Sequence, residues 1–135
     1  MAEEIKNAAQ YWLDEFWSAG NLAAAAEIFA PTYVRHDPDG PMIGIEAIRG
    51  YGARTRSDFP DLHFTADDLI AEGDLVAVRW TATGTHAPTQ RRVTFTGMDI
   101  LRIREGKIVE SWPSFDRLGI GQQLSAAAQP GQSDT

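Results

Sequence analysis

The chain opens on a helical period and closes on a strand period. Ile5, Ala8, Ala9, Trp12 and Phe16 recur at intervals of three and four, which places them on one stripe of a helix over residues 3–19. Gly20 ends that helix. Asn21 is positioned to cap a short second helix, Leu22 to Phe29, which Pro31 closes. Residues 33–37 read as extended, and Asp39-Gly40-Pro41 as a turn. A third helix is predicted from about Ile45 to Ser57, with Ile45, Ile48 and Tyr51 inward. Its glycines, Gly50 and Gly52, each cost about 1 kcal/mol relative to alanine, a cost that close packing would explain.

From Pro60 onward the period is two. His63–Ala71 forms one strand and Glu72-Gly73-Asp74 a turn. Val76, Val78, Trp80 and Ala82 alternate along a second strand. Val93, Phe95, Gly97, Asp99, Leu101 and Ile103 alternate along a third. Glu105-Gly106-Lys107 is a hairpin turn, and residues 108–115 form a fourth strand. Helices first and an antiparallel meander second predict an α+β fold, with the helices covering one face of the sheet. One domain is expected over 1–126, with a disordered tail over 127–135.

Composition narrows the function classes. A chain of 135 residues, 43% hydrophobic, buries a core without disulfides or metals. The net charge of −7 argues against nucleic acid and anionic membrane surfaces as partners. The absence of cysteine removes thiolate chemistry and fits a reducing compartment. The N-terminus has no signal-peptide pattern and no apolar run is of membrane-spanning length, so the expected location is cytoplasmic. Three histidines far apart make no metal site. No phosphate-binding loop or nucleophile elbow is present. No cofactor is expected.

Asp99 is the acid that interrupts the apolar positions of the third strand. Alternation points it to the face the helices cover, where a carboxyl must be paired, hydrogen-bonded or kept neutral. A bulge at Gly97 would reverse that parity. His36-Asp37, before Pro38, is the second candidate: a carboxylate at a strand end can serve as a general base, or simply bond its own turn. His86 closes a strand and is either a pocket residue or an exposed loop histidine. Asp116 is read as the cap of a last helical turn. The four tryptophans, Trp12, Trp17, Trp80 and Trp112, fit core packing or the walls of a pocket for flat apolar ligands.

Together these residues resemble the SnoaL-like polyketide cyclases, of the superfamily named for nuclear transport factor 2, which also contains ketosteroid isomerase. The resemblance covers about residues 5–124. It rests on Phe29-Ala30-Pro31-Thr32-Tyr33-Val34-Arg35-His36-Asp37-Pro38, Phe59-Pro60-Asp61-Leu62, Leu69-Ile70-Ala71-Glu72-Gly73-Asp74, Gly84-Thr85-His86, Phe95-Thr96-Gly97-Met98-Asp99 and Gly106-Lys107-Ile108-Val109-Glu110-Ser111-Trp112. It implies a cone in which a curved antiparallel sheet and three helices enclose one pocket, with homodimers through the outer sheet face.

By that resemblance Asp37 matches the general base of ketosteroid isomerase and Asp99 its protonated hydrogen-bond donor. The oxyanion tyrosine of that enzyme falls at Leu13, which cannot donate. The acid/base aspartate of the aromatic polyketide cyclases falls at Pro113, and its histidine partner at Asp99. Arg35 and His36 lie near the family's pocket-lining polar residue on the first strand. The implied function is cofactor-independent acid/base catalysis on a small apolar carbonyl compound, by aldol-type cyclisation or isomerisation. The alternatives are an epoxide hydrolase-like hydrolase or hydratase, needing an Asp–Arg–Asp cluster, and a non-catalytic ligand-binding module. Expected catalytic residues are Asp99, Asp37 and His36. Expected pocket residues are Trp12, Phe16, Tyr33, Tyr51, Trp80, His86, Phe95, Leu101 and Trp112.

Overall fold

The computed structural model describes residues 2–125; the expected tail over 127–135 lies outside them. Helix α1 (Ala2–Tyr11) continues without a break into a π-helical segment, Trp12–Ser18. There the Ala19 amide reaches back five residues to the Asp14 carbonyl, the wider turn that defines a π-helix. The sequence stripe assumed an α-helix throughout. The wider turn instead brings Trp12, Leu13, Phe16 and Trp17 together into the core.

Asn21 donates from its side chain to Glu15 and does not cap the following helix. That helix is short: a 3-10 turn, Leu22–Ala24, then α2 (Ala25–Ile28). The third helix, α3 (Ile45–Asp58), carries the two glycines for different reasons. A methyl at Gly52 would come within 2.8 Å of the Phe16 ring, whereas one at Gly50 would meet only the Arg54 side-chain end at 3.5 Å. Packing therefore explains Gly52 and leaves Gly50 without a structural reason.

Six strands follow the predicted meander and extend it: β1 (Phe29–Asp37), β2 (Gly40–Ile43), β3 (His63–Glu72), β4 (Leu75–His86), β5 (Arg91–Arg104) and β6 (Lys107–Phe115). They form one curved, unclosed sheet in the order β2-β1-β6-β5-β4-β3. The expected antiparallel sheet is corrected at one pair, since β1 runs parallel to β6. The β5–β6 hairpin turns through Glu105 and Gly106, both at positive φ, the backbone a two-residue turn of this hand requires. The core lies between the inner sheet face and the helical layer of α1, the π-helical segment and α3.

A fourth helix, α4 (Arg117–Ser125), replaces the predicted single turn. The Asp116 side chain accepts from the Gly119 amide at 2.8 Å, the capping role its position implied. The Gln123 side chain both accepts from the Thr94 amide at 2.9 Å and donates to the Thr94 carbonyl at 2.8 Å. The Asp116 amide donates to the Thr96 carbonyl. These bonds hold α4 beside the stretch of β5 that extends past its pairing with β6, which reaches only Gly97.

Candidate functional site

The β4–β5 ladder runs from Leu75–Arg102 to His86–Arg91 without a register shift. Gly97 is therefore not a bulge, and the odd positions of β5 stay on the inner face. Gly97 has another role. A Cβ there would lie 2.5 Å from the Trp80 ring and 2.6 Å from Phe115 Cβ. The missing side chain gives the Trp80 indole its seat.

That seat aims the indole at Asp99. Trp80 Nε1 donates to Asp99 Oδ2 at 2.9 Å. Asp99 is only 4% exposed, and its Oδ1 is buried with no hydrogen-bond partner among the described residues. Burial is the dominant influence and pushes the carboxyl up to about 7; the Arg35 charge and the indole N–H pull it down. An acid that titrates near neutrality can both take and return a proton under cellular conditions.

Asp99 faces a cavity of about 150 Å³. The π-helical segment contributes Trp12, Leu13 and Trp17, and α3 contributes Tyr51, Thr55 and Asp58. The sheet contributes Phe64, Trp80, Phe95 and Phe115, and α4 contributes Ile120. The walls are thus mainly aromatic, which suits an apolar, flat ligand. Leu13 stands in the wall, where it supplies no donor. Tyr11 is 44% exposed and donates to Glu27 at 2.8 Å, so no tyrosine from α1 reaches Asp99.

Two more charged groups line the cavity: Asp58, which is exposed, and Arg35, which like Asp99 is 4% exposed. Its guanidinium lies 4.7 Å from the centre of the Tyr51 ring and 6.0 Å from that of Trp17, a cation–π arrangement favoured where water is excluded. Its Nε donates to Asp37 Oδ2 at 3.3 Å. Burial opposes its charge, but the surrounding acidic groups outweigh burial and keep it protonated.

The expected placement of Asp37 in the pocket is corrected. Asp37 does not line the cavity. It is buried behind Arg35, and both oxygens also accept from Arg117, at 3.0 and 3.1 Å. The Asp39 amide donates to it at 3.0 Å. Burial works to raise its pKa, but the Asp39 amide and the two arginines outweigh burial and hold it below the ordinary value. A carboxylate so fully occupied is a weak base.

His36 lies on the opposite sheet face. Its ring stacks on Trp112 at 5.1 Å and its Nε2 contacts Glu110 at 2.9 Å. Strand alternation is the reason: Arg35 and Asp37 point inward, so His36 must point out. Trp112 is on that outer face for the same reason, next to inward Ser111 and Pro113.

Of the other expected pocket residues, Trp12, Tyr51, Trp80 and Phe95 line the cavity with Asp99. Phe16, Tyr33 and Leu101 are buried in the core behind its wall. The Tyr33 hydroxyl is 2.6 Å from Ser111 Oγ, and burial pushes its ionisation up to about 12. His86 sits against Phe59, with ring centres 5.3 Å apart, and its Nδ1 is 2.9 Å from Thr89 Oγ1; it does not line the cavity. Phe64 and Phe115, which also line the cavity, were not expected there, and Trp17 was offered only as one of four tryptophans that fit either a pocket wall or the core. The alternation of β3 could have found Phe64, whereas Trp17 depends on the π-helical turn.

Among the described residues no group of three potential ligands is placed to hold a metal ion, and no helix is long and apolar enough to cross a membrane. No curated protein matches the sequence significantly. Solved structures do. A proposed polyketide cyclase from Acidithiobacillus ferrooxidans is 29% identical, with a TM-score of 0.85 over 92% of this chain and 96% of that one. IdmH, a proposed polyketide cyclase from Streptomyces antibioticus, is 30% identical, with a TM-score of 0.79 over 90% of this chain and 98% of that one. A protein with a ketosteroid isomerase-like fold from Catenulispora acidiphila, 22% identical, has a TM-score of 0.79 over 87% of this chain and 92% of that one, and shares the fold. The sequence profile described as SnoaL-like polyketide cyclase matches residues 7–124. On that match and this architecture, the chain belongs to the SnoaL-like polyketide cyclase family.

Proposed function

We propose that the protein catalyses proton transfer at carbon next to a carbonyl, without a cofactor, on a small and largely apolar substrate. The observation that carries this reading is the buried Asp99 carboxyl, with one oxygen held by Trp80 and the other unpartnered among the described residues, beside an aromatic cavity. In its ionised form Asp99 takes a proton from the carbon. The C–H electron pair forms the enolate C=C bond, and charge moves to the carbonyl oxygen. Arg35 supports that charge electrostatically. The enolate carbon then attacks a second carbonyl, closing a ring as the Asp99 acid returns its proton to the new alkoxide; or, where a C=C bond extends the enolate to a dienolate, the Asp99 acid returns the proton to the far carbon. Asp37 keeps Arg35 oriented, which replaces its expected role as the base.

The test is deuterium exchange. With small cyclic ketones and 1,3-dicarbonyl compounds in D₂O, the wild-type protein should incorporate deuterium next to the carbonyl faster than buffer does, followed by NMR. Asp99→Ala should lower the protein-dependent rate by about 10²–10⁴-fold. Equal rates for the two proteins would remove Asp99 from the mechanism.

A hydrolase reading has one observation in its favour. Arg35 is paired with Asp37 and its charge acts on Asp99, the carboxylate–guanidinium–carboxylate set an epoxide-opening site needs. Arg79 and Arg102, the sequence candidates for that guanidinium, instead pair on the outer face with Asp68, Asp74 and Glu110. Oxygen-18 from labelled water appearing in a diol product would favour hydrolysis over exchange.

We also infer a homodimer through the outer sheet face. Ile70, Ala77, Ile100 and Trp112 are successive cross-strand neighbours there, and Ile70 and Ile100 are exposed. An apolar row of this kind favours association. Sedimentation should give a dimer for the wild type and a monomer for Ile100→Glu. A monomeric wild type at high concentration would sink the inference.

A further inference from the structure

The ion pairs behind the cavity are shared unevenly. Arg35 and Arg117 share one buried carboxylate, that of Asp37. Arg117 has a second partner in exposed Asp39. Among the described residues, Arg35 has no second carboxylate within ion-pair distance. Arg117 and Asp39 are solvent-accessible, so the two buried charges are Arg35 and an Asp37 carboxylate that Arg35 must share with Arg117. A guanidinium has five N–H donors in a planar fork. The hydrogen bonds Arg35 makes within the described residues leave donors unused at the cavity it lines. Asp99 lines the same cavity, and its Oδ1 has no partner among those residues. Leaving either group unmatched in a water-poor site is costly.

The cavity also sets a scale. A cavity of about 150 Å³ seats a benzene-sized molecule, and this one, which is partly open to solvent, has that volume. Its lining is aromatic on several sides.

We propose that the pocket takes a one-ring organic acid bound as its monoanion, with one oxygen on Arg35 and a second oxygen on the same acid group at Asp99 Oδ1. The acid group is a carboxylate or its vinylogous equivalent, the enolate of a cyclic 1,3-dicarbonyl. Both present one delocalised negative charge over two oxygens, so one oxygen can accept a charge-assisted bond from the guanidinium while the other accepts from the Asp99 acid. This inference deepens the reading of the pocket as the site of reaction and rests on it. The enolate form is an activated version of the carbonyl substrate described above.

Arg117 is a positioning residue in this arrangement. It does not line the cavity, yet it shares the Asp37 carboxylate with Arg35 and so leaves part of the Arg35 charge for an anion.

The test is equilibrium binding, which needs no turnover. Benzoate, neutral benzamide, the enolate of cyclohexane-1,3-dione and anthracene-2-carboxylate are titrated at pH 6 and followed by calorimetry. Benzoate or the dione should bind at least tenfold more tightly than benzamide. Arg35→Met should bring that ratio close to one. Arg117→Ala, a change at a half-exposed site, should weaken anion binding several-fold and leave benzamide binding unchanged. Binding of the dione alone identifies the vinylogous acid, and of benzoate alone the carboxylate.

Benzamide binding as tightly as both anions overturns the proposal, with no variant required. Tighter binding of anthracene-2-carboxylate than of benzoate overturns its one-ring scale. Anion binding without deuterium exchange would sink the catalytic reading and leave this one standing. Exchange of neutral ketones with no preference for anions would do the reverse.

Discussion

An Asp99→Asn variant is expected to keep its stability as pH rises from about 4 to about 7, a range over which the wild type loses up to about 4 kcal/mol from this one group. The sign follows from where the proton sits. In the folded protein Asp99 titrates at about 7, because burial penalises its charge; unfolded, it returns to the ordinary carboxylate value near 4. Between those values the folded chain holds a proton that the unfolded chain has released. Raising the pH therefore favours unfolding across that window. Below pH 4 both states are protonated, and above pH 7 both are ionised, so the difference is flat on either side.

The asparagine amide in that variant would keep an acceptor for the Trp80 indole and would not titrate. Asp37, Asp61, Asp74 and Glu110 are shifted downward, so their contributions are lost as pH falls. They are common to both proteins and cancel in the comparison. Urea unfolding of the two proteins at pH 4, 6 and 8 measures the effect. Parallel stability profiles would show that Asp99 titrates as an ordinary acid and would end its role as a proton carrier near neutrality.

Gly97→Ala is expected to be the most damaging single-methyl addition in the sheet. The new methyl would lie 2.5 Å from the Trp80 ring and 2.6 Å from Phe115 Cβ, both closer than side-chain atoms approach. Forcing extra volume into a filled space costs about 1–3 kcal/mol. The cost has a functional side, because Trp80 cannot move without loosening its hydrogen bond to Asp99. The variant should therefore lose stability and show altered near-ultraviolet circular dichroism of its tryptophans. Gly121→Ala is the control. Nothing among the described residues lies within 4 Å of a methyl there, and within α4 the substitution should stabilise by up to about 1 kcal/mol. Equal stability of Gly97→Ala and wild type would remove the account of Gly97 as the seat of the indole.

The parts of the site that lie in long alternating strands were legible in the sequence. Asp99 interrupts an otherwise apolar set of positions, so parity alone placed it inside. Trp80 and Phe95 follow from the same rule. Arg35 was harder. Along β1 the sequence offers Tyr33 and Val34 as equally apolar neighbours, so nothing decided whether Arg35 and Asp37, or His36, faced in. The fold resolves this by burying Tyr33 against Ser111, which carries Arg35 and Asp37 inward with it. Trp112 misled for a related reason: a large aromatic normally belongs in a core, but here it partners His36 outside.

Pairings between distant segments were not legible at all. The parallel contact of β1 with β6 joins segments from opposite ends of the chain, and local periodicity carries no information about which strands become neighbours. The role of Arg117 depends on that same contact, since β6 leads directly into α4. The π-helical segment escaped because its hydrophobic spacing also fits an α-helix.

The side-chain amide of Gln123 has one more consequence. Past Gly97, β5 has lost β6 as a neighbour, and its backbone groups on that side would lie open to any passing strand. Gln123 takes both main-chain groups of Thr94, and the Asp116 amide takes the carbonyl of Thr96. The helix thus imitates the missing strand with one residue, and this frayed margin is closed to the edge-to-edge stacking through which sheets aggregate.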